Sequence, residues 1–332
     1  MKKRVAALLM ATLMGTFCLT GCGSSEGGAV QESEVETSVE DTENDVDTQE
    51  DDADAKEAEA EEVKETTTQD AAVLVVSFGT SYNDSRDITI GAIEKAIADA
   101  YPEYDVRRAF TSQIIIDKLK ERDGLEIDNV TEALDRAVED GIRTLVVQPT
   151  HLMNGFEYTD LVDELKNYEE KFDKVVVADP LLTSDNDFET VINAITEKMN
   201  SYDDGETAII FMGHGTEAES NEVYAKMQDK LTEAGYENYY IGTVEATPSL
   251  DDVIAKLKEK GTYKKVVLEP LMVVAGDHAN NDMAGDEDDS WKTVLTNEGF
   301  EVECLLEGLG QVPAIQDIYV AHTKTAIDSI GE

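Results

Sequence analysis

From residue 71 onward the chain alternates between two hydrophobic patterns. Runs of strand length, most of them largely apolar, lie at 72–77, 105–110, 144–148 and 174–178, and again at 207–212, 239–244, 265–269 and 301–305. A strand apolar on both faces is one covered on both faces, which predicts parallel sheets. Between the runs, apolar positions recur at helical spacing near 84–101, 112–122, 130–140, 157–171 and 186–200, then near 219–234, 250–260, 288–298 and 312–329. The alternation predicts an α/β chain with two doubly wound, Rossmann-like parallel-sheet domains, 71–200 and 201–332, and a cleft between them.

A faint repeat supports that division. Val75-Val76-Ser77-Phe78-Gly79-Thr80 is similar to Ile210-Phe211-Met212-Gly213-His214-Gly215-Thr216. Likewise Val146-Val147-Gln148-Pro149-Thr150-His151-Leu152-Met153 is similar to Val267-Leu268-Glu269-Pro270-Leu271-Met272-Val273.

Ahead of residue 71 the pattern changes. Lys2, Lys3 and Arg4 precede an apolar stretch at 5–19, too short for a membrane span of roughly 20 residues but of signal-peptide proportions. It ends in Leu19-Thr20-Gly21-Cys22, the pattern of a bacterial lipobox. Residues 1–21 therefore read as a lipoprotein signal and Cys22 as the lipidated residue. The expectation is an extracytoplasmic protein, lipid-anchored to the bacterial cell membrane. Residues 22–70 read as a disordered acidic tether, since 23–70 carries 19 acids, two lysines, no proline and no aromatic residue. Of three cysteines, Cys18 leaves with the signal and Cys22 takes lipid, so Cys304 has no partner for a disulfide and reads as core.

The charge matters next. With 73 acids against 27 basic residues the net charge is −46, which excludes nucleic acid as a partner and docking on an anionic membrane through surface charge. Membrane contact is left to the lipid anchor alone. Without the tether and the basic N-terminal residues, the folded part still stands at −32.

Candidate chemistry sits where strands end, because ligands of open parallel sheets bind beyond the carboxyl ends of the strands. His151, His214 and His278 fall there, whereas His322 lies on the last helix and reads as packing or surface. Imidazole both ligates divalent metals and exchanges protons near neutral pH. The glycines either side of His214 suggest close approach of a ligand to backbone. His278, flanked by Asp277 and Asp282, reads either as functional or as a loop stiffener. No P-loop, dinucleotide fingerprint, zincin motif or nucleophile elbow occurs in the sequence, so no nucleotide cofactor is expected.

One resemblance is specific. Val75-Val76-Ser77-Phe78-Gly79-Thr80-Ser81, Arg107-Arg108-Ala109-Phe110-Thr111-Ser112, Gln148-Pro149-Thr150-His151, Met212-Gly213-His214-Gly215-Thr216 and the run from Ala275-Gly276-Asp277-His278 through Asp286 together resemble the anaerobic cobalt chelatases of cobalamin biosynthesis. The resemblance spans about 71–330. It implies a chelatase fold related to ferrochelatase and ATP-independent insertion of Co2+, with Fe2+ or Ni2+ as further candidates, into sirohydrochlorin or a related tetrapyrrole. It also implies that His151 and His214 bind the metal and take up the pyrrole protons. Asp185 and Glu245 are candidate further metal ligands. Ser77, Phe78, Gly79, Thr80, Arg108, Gly213, Gly215 and His278 are expected against the tetrapyrrole.

Sirohydrochlorin carries eight carboxylates, so a domain at −32 needs a locally less negative cleft, with Arg86, Arg107 or Arg108 as candidates. The lipobox leaves a second reading open, an extracytoplasmic tetrapyrrole- or metal-binding lipoprotein for uptake or storage, for which haem would be a ligand. A third is a metal scavenger using Asp286-Glu287-Asp288-Asp289. A homo-oligomer stays open.

Overall fold

The computed structural model describes residues 70–331. The expected signal segment, Cys22 and the acidic stretch through residue 69 lie outside the described residues. The first half runs β1 (Ala71–Ser77), α1 (Asn83–Ile88), α2 (Ile90–Ala100), β2 (Asp105–Phe110), α3 (Gln113–Asp123), α4 (Val130–Glu139), β3 (Thr144–Pro149), α5 (Phe156–Leu165), β4 (Lys174–Val177) and α6 (Asp185–Met199). The second runs β5 (Thr207–Gly213), α7 (Glu222–Glu233), β6 (Tyr239–Thr243), α8 (Leu250–Lys260), β7 (Lys265–Pro270), α9 (Trp291–Asn297), β8 (Glu301–Cys304) and α10 (Pro313–Ser329).

Two four-stranded sheets result, ordered β2-β1-β3-β4 and β6-β5-β7-β8, and every strand pair is parallel. The same order in both sheets is the structural form of the sequence repeat. In each sheet the direction of winding reverses around the central strand, β1 or β5. Loops leaving β1 and β3, and β5 and β7, therefore flank a topological switch point where a parallel sheet accepts ligands.

Alternate positions on each strand go to different cores. Val73 and Val75 of β1 join Ile209 and Phe211 of β5 in one apolar cluster, with side chains of α2, α6, α7 and α10 filling the layer between the sheets. Ala72, Leu74 and Val76 face the other way, onto α4 and α5, while Ile210 and Met212 face α8 and α9. Burial on both faces explains why these strands are apolar at consecutive positions.

The helix α10 departs from chain order. It follows the second sheet but packs on α2, α6, β3 and β4, so the last helix of the expected 201–332 domain lies against the first sheet. Pro313 starts it, where a missing N–H costs nothing. Tyr319, fully buried, donates its hydroxyl to the Thr150 carbonyl at 2.9 Å, and Thr323 donates to Gln148 Oε1 at 2.8 Å. The helix expected over 84–101 is two, α1 and α2, meeting at buried Thr89, whose hydroxyl bonds back to the Ser85 carbonyl. No helix among the described residues is long and apolar enough to cross a membrane.

Candidate active site

The loops leaving the central strands are held by hydrogen bonds that extend the sheets. Val244 N–H donates to the Gly213 carbonyl at 3.0 Å and Glu245 N–H to the His214 carbonyl at 2.9 Å, so the chains beyond β5 and β6 stay side by side. That pairing puts Glu245 next to His214. The loop beyond β7 brings His278 to the same place. Donor atoms of His214, Glu245 and His278 lie within 4.8 Å of one another, and the two imidazoles meet edge-to-face at 4.6 Å between centroids.

Each ring has its Nδ1 against an acceptor. Nδ1 of His214 is 2.8 Å from the Gly215 carbonyl, and Nδ1 of His278 is 2.7 Å from Asp282 Oδ2. Both partners are acceptors, so in the neutral form of each ring Nδ1 is the nitrogen that carries the proton. Two imidazole nitrogens and one carboxylate form a donor set suited to a borderline divalent metal.

Both glycines around His214 are needed, for a reason other than ligand approach. A Cβ on Gly213 would sit 2.2 Å from the Tyr224 ring, and Gly215 has φ +85° with the Ala246 nitrogen 2.8 Å from where its Cβ would be. Tyr224 in turn accepts from Gly215 N–H at 3.3 Å, and burial pushes its hydroxyl pKa up. The protein's own groups thus occupy the space beside Gly213 and Gly215: Tyr224 at the first, Ala246 and Thr243 at the second.

His151 is elsewhere, at the end of β3. Tyr319 holds the preceding carbonyl, while Leu181 N–H donates to the His151 carbonyl at 3.0 Å and Leu182 N–H to that of Leu152 at 2.9 Å. Its side chain is 9% exposed, and neither ring nitrogen has a hydrogen-bond partner. The nearest charge is Glu157 in the first turn of α5, whose Oε2 is 3.3 Å from Nε2 and whose side chain is 46% exposed. A buried imidazole left without a partner is costly unless something else uses it.

The two sets of strand-end loops meet. Ala275 N–H donates to Ser85 Oγ at 3.2 Å, joining the loop before His278 to α1. Gly155, beyond His151, lies beside Ser220, beyond His214. Exposed apolar side chains stand on the first-sheet side: Phe78 after β1, Ile114 at the start of α3 and Phe156 at the start of α5.

Other expected site residues are committed elsewhere. Asp185 opens α6 and pairs with Lys226 at 2.8 Å and Lys230 at 3.8 Å, which lower its pKa, so it stands outside the donor group. Ser77 is buried and accepts from the Thr150 hydroxyl, and buried Thr80 accepts from Tyr82 N–H, so of 77–80 only Phe78 is exposed. Gly79, at φ +96°, lies against the Phe110 ring. Arg86, Arg107 and Arg108 line a groove of about 590 Å3 along the edge strand β2, with Glu94, Asp128 and Arg136. Arg108 is clasped by both oxygens of Glu94, Arg107 bonds Asp105 and Asp140 at 2.7 Å, and buried Arg86 bonds Asn83 and lies 3.2 Å from Asp87. These arginines therefore already have partners. His322 bridges α10 to Asp187 at 3.2 Å, a packing role, and half-buried Cys304 is free, its thiol pKa raised by burial. The acidic run 286–289 precedes Ser290, the cap of α9, and Asp286 pairs with Lys292 at 2.7 Å.

Comparison with known proteins gives the family. The family model described as Cobalt chelatase (CbiK) matches residues 71–328. The sirohydrochlorin cobaltochelatase of Salmonella typhimurium is 39% identical over 261 residues, which are 79% of this chain and 98% of that protein. The sirohydrochlorin cobaltochelatase CbiKC of Nitratidesulfovibrio vulgaris is 29% identical over 262 residues, 78% of this chain and 92% of its own. In fold, the chain is similar to SirB from Bacillus subtilis, solved with Fe3+, at a TM-score of 0.57 and 13% identity, over 79% of this chain and 98% of that one. With a family model matched from one end of the two-sheet region to the other, the chain belongs to the cobalt chelatase (CbiK) family.

Proposed function

We propose that the protein inserts a divalent metal, Co2+ first, into sirohydrochlorin without ATP, with its histidines divided between two tasks. The observation that carries this reading is the contrast in their surroundings. His214 and His278 each have Nδ1 against an acceptor, and both stand in one group with Glu245, whose Oε2 is 3.9 Å from His214 Nδ1. His151 has both nitrogens buried, without a hydrogen-bond partner, and a half-exposed carboxylate at 3.3 Å.

Insertion replaces two pyrrole N–H protons by one metal ion. His214, Glu245 and His278 hold the incoming ion, and a set of only three protein donors leaves coordination positions for the macrocycle nitrogens. His151 takes each pyrrole proton in turn and passes it to Glu157, which is exposed enough to lose it to water. The original expectation gave His151 a ligand role as well; proton acceptor alone suits its surroundings better. Phe78, Ile114 and Phe156 offer apolar surface to the face of the ring. The paired arginines of the β2 groove are not assigned to the carboxylates.

Location outside the cytoplasm on a lipid anchor belongs to the same proposal. It rests on the basic, apolar and Leu19-Thr20-Gly21-Cys22 segments, and residues 1–70 fall outside the family match.

The test mixes the protein with sirohydrochlorin and Co2+ under anaerobic conditions and follows macrocycle absorption. His151→Ala should lower kcat by about 10²–10⁴-fold, the usual reach of general base catalysis. His214→Ala and His278→Ala should raise KM for Co2+. A wild-type rate equal to the uncatalysed one, or variants that all keep the wild-type rate, would refute the reading.

A further inference from the structure

We propose that Asp282 is a positioning residue for His278, fixing that imidazole in the tautomer that leaves Nε2 free to ligate within the group it forms with His214 and Glu245. The proposal rests on the reading of these three residues as the metal centre. Its observation is the 2.7 Å contact between Asp282 Oδ2 and His278 Nδ1.

The local backbone makes that contact. Residues Ala279–Met283 form a π-helical turn immediately after His278, a wider turn than an α-helix and one that is frequent at functional sites. Two further side chains clamp the turn. Asn280 Nδ2 donates to the Gly276 carbonyl at 2.7 Å, and Asn281 Nδ2 donates to Asp277 Oδ1 at 2.9 Å. The second bond occupies Asp277, the other carboxylate next to His278 in sequence. Asp282 is left as the one that receives the imidazole N–H.

A neutral histidine carries its proton on either nitrogen, and only the Nδ1–H form leaves Nε2 free to ligate. His278 is 31% exposed, so packing alone does not immobilise the ring. The carboxylate supplies what packing does not. It selects the tautomer, fixes the rotation of the ring and makes Nε2 a better donor. His214 obtains its tautomer from the Gly215 carbonyl, a backbone group that no substitution removes. Asp282 is thus the adjustable side of the site. Losing such an outer partner commonly costs about 10–100-fold in metal affinity or activity.

The experiment uses the full chain with 15N-labelled histidine and Co2+ alone as probe. In the metal-free protein, two-bond 15N–1H spectra should show His278 with its proton on Nδ1, and Asp282→Ala should move it mainly to Nε2. Asp282→Ala should weaken Co2+ binding by about 10–100-fold, leave KM for the tetrapyrrole unchanged and raise KM for Co2+. Asp282→Asn, whose amide oxygen still accepts from Nδ1–H, should recover part of that affinity and keep the tautomer. Asp282 is 45% exposed, and the near-isosteric Asn variant keeps the test valid should the Ala variant disturb the turn. An unchanged tautomer in Asp282→Ala, or Co2+ affinity within about twofold of wild type when His214→Ala has lost binding, overturns the proposal. Wild-type Co2+ affinity in both His214→Ala and His278→Ala would instead sink the metal-centre reading, and the proposal with it.

Discussion

Replacing Glu269 with glutamine should remove a fall in stability that the wild-type protein shows as pH rises from 4.5 to about 7. Glu269 lies near the end of β7, 1% exposed, with Lys198 Nζ bonded to Oε1 and Oε2 without a partner. Burial pushes its carboxyl up from 4.5 to about 7; Lys198 pulls it down by less, and nearby Glu307 adds to the rise. A carboxyl harder to ionise in the folded state than in the unfolded one favours folding while it keeps its proton. That advantage is complete below pH 4.5, where both states are protonated alike. It drains away between 4.5 and about 7 and is gone above that range. The gap corresponds to about 3 kcal/mol, at 1.36 kcal/mol per pH unit. For a domain of this size that is a Tm difference of about 6–12 °C. Glutamine stays neutral throughout, as Gln148 does at the equivalent Gln-Pro position of the first sheet. The assay is urea unfolding of wild type and Glu269→Gln at a series of pH values, taking the difference at each, so that groups common to both cancel. The stability of Glu269→Gln relative to wild type should rise by about 3 kcal/mol across the window. A difference independent of pH would refute the reasoning, whatever its sign.

Two further outcomes follow from close contacts near the site. Gly213→Ala drives a methyl into the Tyr224 ring, so it should cost about 1–3 kcal/mol in urea unfolding and raise KM for Co2+ by moving the adjoining His214. Tyr319→Phe removes the donor to the buried Thr150 carbonyl; it should cost about 1–3 kcal/mol and lower kcat through the His151 loop, with little change in KM for Co2+.

Much of the architecture is legible in the sequence, because the central strands, buried on both faces, leave short apolar runs between helical stretches. The eight strands fall where those runs lie, and the sheet order repeats as the Gln148-Pro149 and Glu269-Pro270 echoes suggest. What local pattern cannot carry is partnership across long separations. The periodicity of 312–329 marks a helix but is silent on which sheet receives it. Periodicity also continues through Thr89, where the backbone turns. His151, His214 and His278 can be singled out as strand-end residues. Their sorting into two environments depends on Glu245 being paired beside His214 and on a π-turn without sequence periodicity. The glycines around His214 carry a real signal of close approach. The approaching group, the ring of Tyr224 from α7, is invisible until the helix is folded onto its strand.

The return of α10 to the first sheet has a consequence for the order of assembly. During synthesis, residues 71–199 emerge well before α10, yet the face of β3 and β4 that α10 covers and the Thr150 carbonyl have no partner until Tyr319 exists. Each sheet can pair its strands once they have appeared, since every pairing lies within its own half of the chain. The first half, however, remains unfinished while the second is made. The loop that carries His151 is locked in position only when the last helix arrives. The two halves thus share a fate: no partly synthesised chain holds a completed His151 loop, and loosening α10 should disarm the far half of the molecule before the nearer one.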